Sequence, residues 1–205
     1  MRTHVVGDWD DVANVIDDLA GMLDSYRWED VDVCVRQLIA RTRESSEEFP
    51  NDEARRILSH LRRKRRFVHM ELLADALVRD GVRDPEVRRQ YAQALIERES
   101  YGAAESLLND LLREQDLPPR EKVEAVGLLG RAYKQQYVDA AQPNRRIGPR
   151  QQKNLRTAIE RYGAVYKEDP TRVWHGINVA ACLARCERDG VETDGLPFRD
   201  YRVVA

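Results

Sequence analysis

Apolar residues recur at helical spacing along nearly the whole chain, in blocks that come in pairs and are cut by proline or glycine. That recurrence constrains the fold more than any single motif. The first pair reads Val12, Ile16, Leu19 and Leu23, then Val31, Val35, Leu38 and Ile39, and stops at Phe49-Pro50. Residues 1–7 lack the pattern and read as a short arm. The second pair holds Ile57, Leu58 and Leu61, then Phe67, Met70, Leu73 and Leu77, and stops at Asp80-Gly81. The third opens at Asp84-Pro85, with proline in the first turn where its missing N–H costs nothing, and finishes before Pro118-Pro119. Asn51 or Asp52 is expected to cap the third helix, and Trp9 and Trp28 to pack the first hairpin together.

A helix pair every thirty-odd residues is the period of tetratricopeptide arrays. With Pro85 as position 1, the small residues Ala92 and Ala104 stand at positions 8 and 20, and Leu95 and Leu108 at 11 and 24. With Val123 as position 1, Leu129, Gly130 and Tyr133 stand at 7, 8 and 11. Ala158, Tyr162, Val165 and Pro170 keep the mutual spacing of positions 20, 24, 27 and 32, but arrive about sixteen residues late because 139–151 is inserted. The insert reads as an exposed loop or as an extension of the two helices capped by a turn. A last helix carries Trp174, Ile177, Ala180, Ala181 and Leu183 and ends at Asp189-Gly190. The fold class is therefore all-α, a tetratricopeptide-like helical-repeat solenoid of about eight to nine antiparallel helices. Its expected divisions are an acidic N-terminal hairpin over 1–50, repeats over 51–190 and a loosely packed tail over 191–205.

Leu128-Leu129-Gly130-Arg131-Ala132-Tyr133-Lys134, the insert, Ala158-Ile159-Glu160-Arg161-Tyr162, Asp169-Pro170 and Gly176-Ile177-Asn178 follow one another in order. In that order they resemble the TRAFs-binding, or central regulatory, region of the apoptosis signal-regulating kinases and its bacterial relatives. The resemblance covers about residues 84–188 and weakens back to residue 50. It implies a helical-repeat regulatory scaffold that binds proteins, in bacteria beside a peptidase or other effector in a defence or signalling system. Nothing here matches the Gly-rich loop, catalytic lysine or HRD and DFG motifs of a kinase.

Charge and cysteine usage narrow the remaining classes. A net charge of −2 weighs against a general nucleic-acid binder, although Arg62-Arg63-Lys64-Arg65-Arg66 and Arg145-Arg146 leave an α-solenoid that binds nucleic acid as the alternative. The regulatory part of a larger enzyme is a further one. Three cysteines, an odd number without a secretory leader, point to a reducing cytoplasm. No apolar run approaches the roughly 20 residues that span a bilayer. Cys182 and Cys186 lie one helical turn apart but lack the other ligands of a zinc site, and read as core. Gly127 and Gly130 read as helix-packing residues rather than a phosphate cradle. No catalytic, cofactor or metal residues are expected. If the repeat register holds, Arg89, Gln93, Arg131, Lys134, Arg172 and His175 line a concave surface, either as a groove for an acidic partner segment or as solvated charge balanced by Glu86 and Glu124.

Overall fold

The computed structural model describes residues 9–140 and 147–204. The N-terminal arm and Arg145-Arg146 of the insert lie outside them. Nine α-helices run through the described residues: α1 (Val12–Asp24), α2 (Trp28–Glu44), α3 (Asn51–Arg63), α4 (Phe67–Arg79), α5 (Pro85–Glu97), α6 (Tyr101–Leu112), α7 (Pro119–Ala140), α8 (Pro149–Glu168) and α9 (Val173–Asp189). A short 3-10 turn, Tyr201–Val203, follows. The chain divides into two compact units, Met1–Glu99 and Ser100–Ala205. All-α helical repeats are thus what the periodicity predicts.

In the first unit α1 packs on α3 and α3 on α5, while α2 packs on α4. First helices stack on first helices and second on second, which is how a repeat buries a face it cannot cover alone. The acidic hairpin follows the same rule, so α1 and α2 share one core with α3–α5 instead of forming a division of their own. Ile16, Leu19, Ile57, Leu58, Leu61, Leu73 and Leu77 have no exposed surface. Each such side chain contributes roughly 1.5–3 kcal/mol, which holds the unit together without a cofactor.

The turns inside the first two hairpins use one geometry. Tyr26 and Arg65 adopt left-handed backbone angles, φ 57° and 55°. The following amides close back on the helix, Arg27 N to Met22 O at 2.9 Å and Arg66 N to Leu61 O at 2.8 Å. An aromatic residue, Trp28 or Phe67, then opens the second helix. Glycine is the usual residue at such a position, and its absence here is why the spacing alone does not reveal these turns.

Two local expectations change. Trp9 lies against Phe49, ring centroids 4.6 Å apart, and its Nε1 donates to Glu47 O at 2.9 Å. Trp28 lies instead beneath the Arg66 guanidinium, 4.7 Å from the ring centre. The two cannot meet because Trp9 precedes the start of α1 and Trp28 begins α2, at opposite ends of an antiparallel hairpin about 20 Å long. α3 begins at Asn51 behind an extended Pro50 and has no side-chain cap. The cap appears at α5, where Asp84 accepts from Val87 N at 3.0 Å and pairs with Arg55 of α3.

In the second unit α7 packs on α6 and α8, and α8 on α9. α7 runs to Ala140 and α8 starts at Pro149, so the described ends of the insert are helical extensions. The tail expected to be loose places Val191, Leu196 and Val204 in the core of this unit. Gly163 makes room for it: a Cβ there would stand 2.9 Å from Pro197 Cγ and 3.3 Å from Phe198.

Candidate functional site

The face shared by α7, α8 and α9 is built on two glycines of α7. A Cβ at Gly130 would press on the Tyr162 ring at 3.0 Å, and one at Gly127 would meet His175 Nε2 at 2.8 Å and Trp174 at 3.3 Å. Because both lack a side chain, Tyr162 of α8 and the first turn of α9 come down onto α7. Tyr162 is fully buried, and Trp174 stands edge-on to it with centroids 5.4 Å apart. The expectation that Gly127 and Gly130 serve packing holds.

Lys134 lies one turn beyond Gly130 on α7. Its ammonium sits 5.9 Å from the centre of the Tyr162 ring and donates to Asn178 Oδ1 at 2.6 Å. Asn178 is itself fixed, since its Nδ2 donates to Trp174 O at 2.8 Å. Among the described residues no carboxylate pairs with Lys134. Burial pushes its pKa down, and the neighbouring Arg131 and Arg185 cations add to that against a contrary pull from Cys182. The Tyr162 hydroxyl and both ring nitrogens of His175 are buried without a hydrogen-bond partner. Burial raises the Tyr162 pKa and lowers that of His175.

The six residues expected on one concave surface divide between the units. Arg89 and Gln93 belong to the first; Arg89 is only 5% exposed and lies 3.5 Å from Glu86, and Gln93 is half-buried. In the second, Arg131 and Lys134 are half-buried on α7, and Arg172 is exposed just before α9, paired with Asp169 at 3.1 Å. His175 is buried, at 5% exposure, and Trp174 beside it is 50% exposed. A repeat register points a position outward only if the neighbouring helix fills the space behind it. At Gly127 that space is empty, so His175 turns in and Trp174 faces out. Position counting gave Tyr162 and Trp174 to the packing and named Asn178 only within Gly176-Ile177-Asn178; it put none of the three on this surface.

The basic run of the first unit is occupied by its own surroundings. Lys64 pairs with Asp24 at 2.9 Å, and Arg63 lies 2.6 Å from His60 Nδ1. Arg65 covers Phe67 and Arg66 covers Trp28. Cys34, Cys182 and Cys186 are free and buried, and burial pushes the Cys182 and Cys186 thiols up to about 12 and about 11. Among the described residues no group of three or more His, Cys, Asp or Glu is placed to hold a metal ion, and no helix is long and apolar enough to cross a membrane.

Neither a curated protein nor a solved structure matches the chain. One family does, that of the Tetratricopeptide Repeats-Sensor (TPR-S) domains, whose model matches residues 66–183, more than half of the 205. The match takes in the whole α7–α9 face, and repeat domains of this type are typically non-catalytic. The chain therefore belongs to the Tetratricopeptide Repeats-Sensor family.

Proposed function

We propose that this protein is a regulatory adaptor whose second unit captures an acidic segment of a protein partner on the α7–α9 face. Family membership supports a protein-interaction or sensor role. The observation that carries the finer reading is Lys134: a half-buried ammonium, oriented by Asn178, with no carboxylate among the described residues and with Arg131 and Arg185 as cationic neighbours. Removing a cation from water without an opposite charge is costly. An incoming carboxylate offsets that cost, and the resulting hydrogen bond is of the stronger, charge-assisted kind. The resemblance to the central regulatory region of the apoptosis signal-regulating kinases supports the same role. It also favours a partner among effectors such as a peptidase, in a bacterial defence or signalling setting. Three buried free thiols suit a reducing cytoplasm.

Charge reversal at both Arg131 and Lys134 (Arg131→Glu, Lys134→Glu) is expected to abolish binding of a glutamate-rich peptide while circular dichroism shows unchanged helicity. Retention of binding by the folded variant overturns the reading.

A further inference from the structure

The Lys134 site has a second character that charge does not account for. Val173, Trp174 and Ile177, on the first turns of α9, expose 61%, 50% and 61% of their surfaces, and they are three of the large exposed apolar side chains of the described residues. Trp174 is joined to the ammonium on two sides. Its ring shares the Tyr162 ring with Lys134, and its carbonyl holds the Asn178 amide that receives the Lys134 proton. The cation and the indole are therefore placed by one set of contacts and keep a fixed spacing.

A purely apolar occupant would cover Trp174 and strip water from Lys134 with nothing to replace it. A purely acidic one would answer the ammonium and leave the indole in water. A chain that carries both groups satisfies both. We propose that Lys134, Asn178 and Trp174 form a receptor for a carboxylate borne beside an apolar side chain, the pattern of an acidic segment in which leucine alternates with glutamate. The carboxylate takes an N–H of the Lys134 ammonium that Asn178 leaves free. The apolar side chain lies on the exposed face of Trp174, with Ile177 at its border. Asn178 is a positioning residue, acting on the ligand through Lys134. This assignment rests on the acidic-partner reading and adds the apolar requirement to it.

The test is a fluorescence-anisotropy titration of the full chain with three peptides of equal length, alternating Glu-Leu, Glu-Ser and Lys-Leu. The Glu-Leu peptide is expected to bind about tenfold tighter than Glu-Ser, the scale of a contact made on a tryptophan hot spot, and Lys-Leu not at all. Trp174→Ala, a change at a half-exposed position, is expected to bring Glu-Leu down to the affinity that the same variant has for Glu-Ser. Equal binding of Glu-Leu and Glu-Ser, or unchanged Glu-Leu affinity in the folded Trp174→Ala variant, overturns the receptor and leaves the acidic-partner reading standing. Equal binding of Lys-Leu and Glu-Leu, or binding of none of the three, overturns both.

Discussion

Lys64 of the first unit and Lys134 of the second are answered in different ways. The first carries the densest basic run of the chain, and its structure answers that run locally: Asp24 for Lys64, the His60 ring for Arg63, aromatic faces for Arg65 and Arg66. In the second, Lys134 of α7 is given an amide, Asn178, in place of a carboxylate. On the proposed reading, the balance of charge around a partly dehydrated group marks the binding surface better than charge density along the sequence does. Exposed pairs such as Lys64–Asp24 contribute little and vary freely. A half-buried cation without a counter-ion is the arrangement that a partner completes.

Removing the aromatic support under each cation should break the comparison most visibly. Tyr162→Ala empties a fully buried site and is expected to cost about 3–5 kcal/mol in urea unfolding, with loss of acidic-peptide binding. Trp28→Ala, under Arg66 at a position 36% exposed, should cost far less and leave that binding intact. Equal losses would mean that the two aromatic supports are equivalent.

The next effect separates fold from site. Arg65 holds a left-handed backbone angle that costs an L-residue roughly 1–2 kcal/mol. Arg65→Gly should recover about 1 kcal/mol of that in the urea midpoint without changing acidic-peptide affinity, although it shortens the basic run. A drop in affinity would return the basic run to the list of contact residues.

How much of this the sequence carried depends on what each feature rests on. Helix number and type were legible because sets such as Val12, Ile16, Leu19 and Leu23 recur at a spacing that only a helix can bury on one side. The packing role of Gly130 was legible because it stands at position 8 of its repeat, where a small residue lets the paired helix approach, and Tyr162 is what comes down on it. The division into units at Glu99 was not, since Glu97-Arg98-Glu99 and Gly102 read no differently there from a turn within a hairpin. Nor was the tail, whose Leu196 and Val204 are too few to show a period. At the candidate site the register puts Lys134 and His175 on one surface, whereas the structure leaves Lys134 half-buried and turns His175 inward. What turned His175 inward is the absence of a side chain on another helix, at Gly127, and a register counts positions on one helix at a time.

The smallest effect extends the comparison to the buried histidines, one per unit. Burial is the leading cause that lowers the pKa of each. His69 faces Asp32 at 3.4 Å, which opposes the shift, while Arg66 and Arg36 favour it. His175 has Glu124 pulling up and Arg172 pushing down, and no hydrogen bond to either ring nitrogen. A histidine whose folded pKa lies below its unfolded value of about 6.5 takes its proton first in the unfolded chain. Its contribution is complete above that value and is lost as the pH falls below it. Urea midpoints measured from pH 7.5 to pH 5 should fall. His175→Gln should flatten that fall more than His69→Gln, whose wild-type ring has a carboxylate to receive its charge. The reverse order would contradict the contrast between the units.

The central claim is that Lys134 stands without a counter-charge while Lys64 has one, and the two titrations report on it directly. Lysine side-chain NMR should show Lys134 titrating below the ordinary lysine value of 10.5 and Lys64 above it, and addition of the Glu-Leu peptide should raise Lys134 alone. A Lys134 that titrates at or above Lys64, or that does not respond to the peptide, would contradict the account.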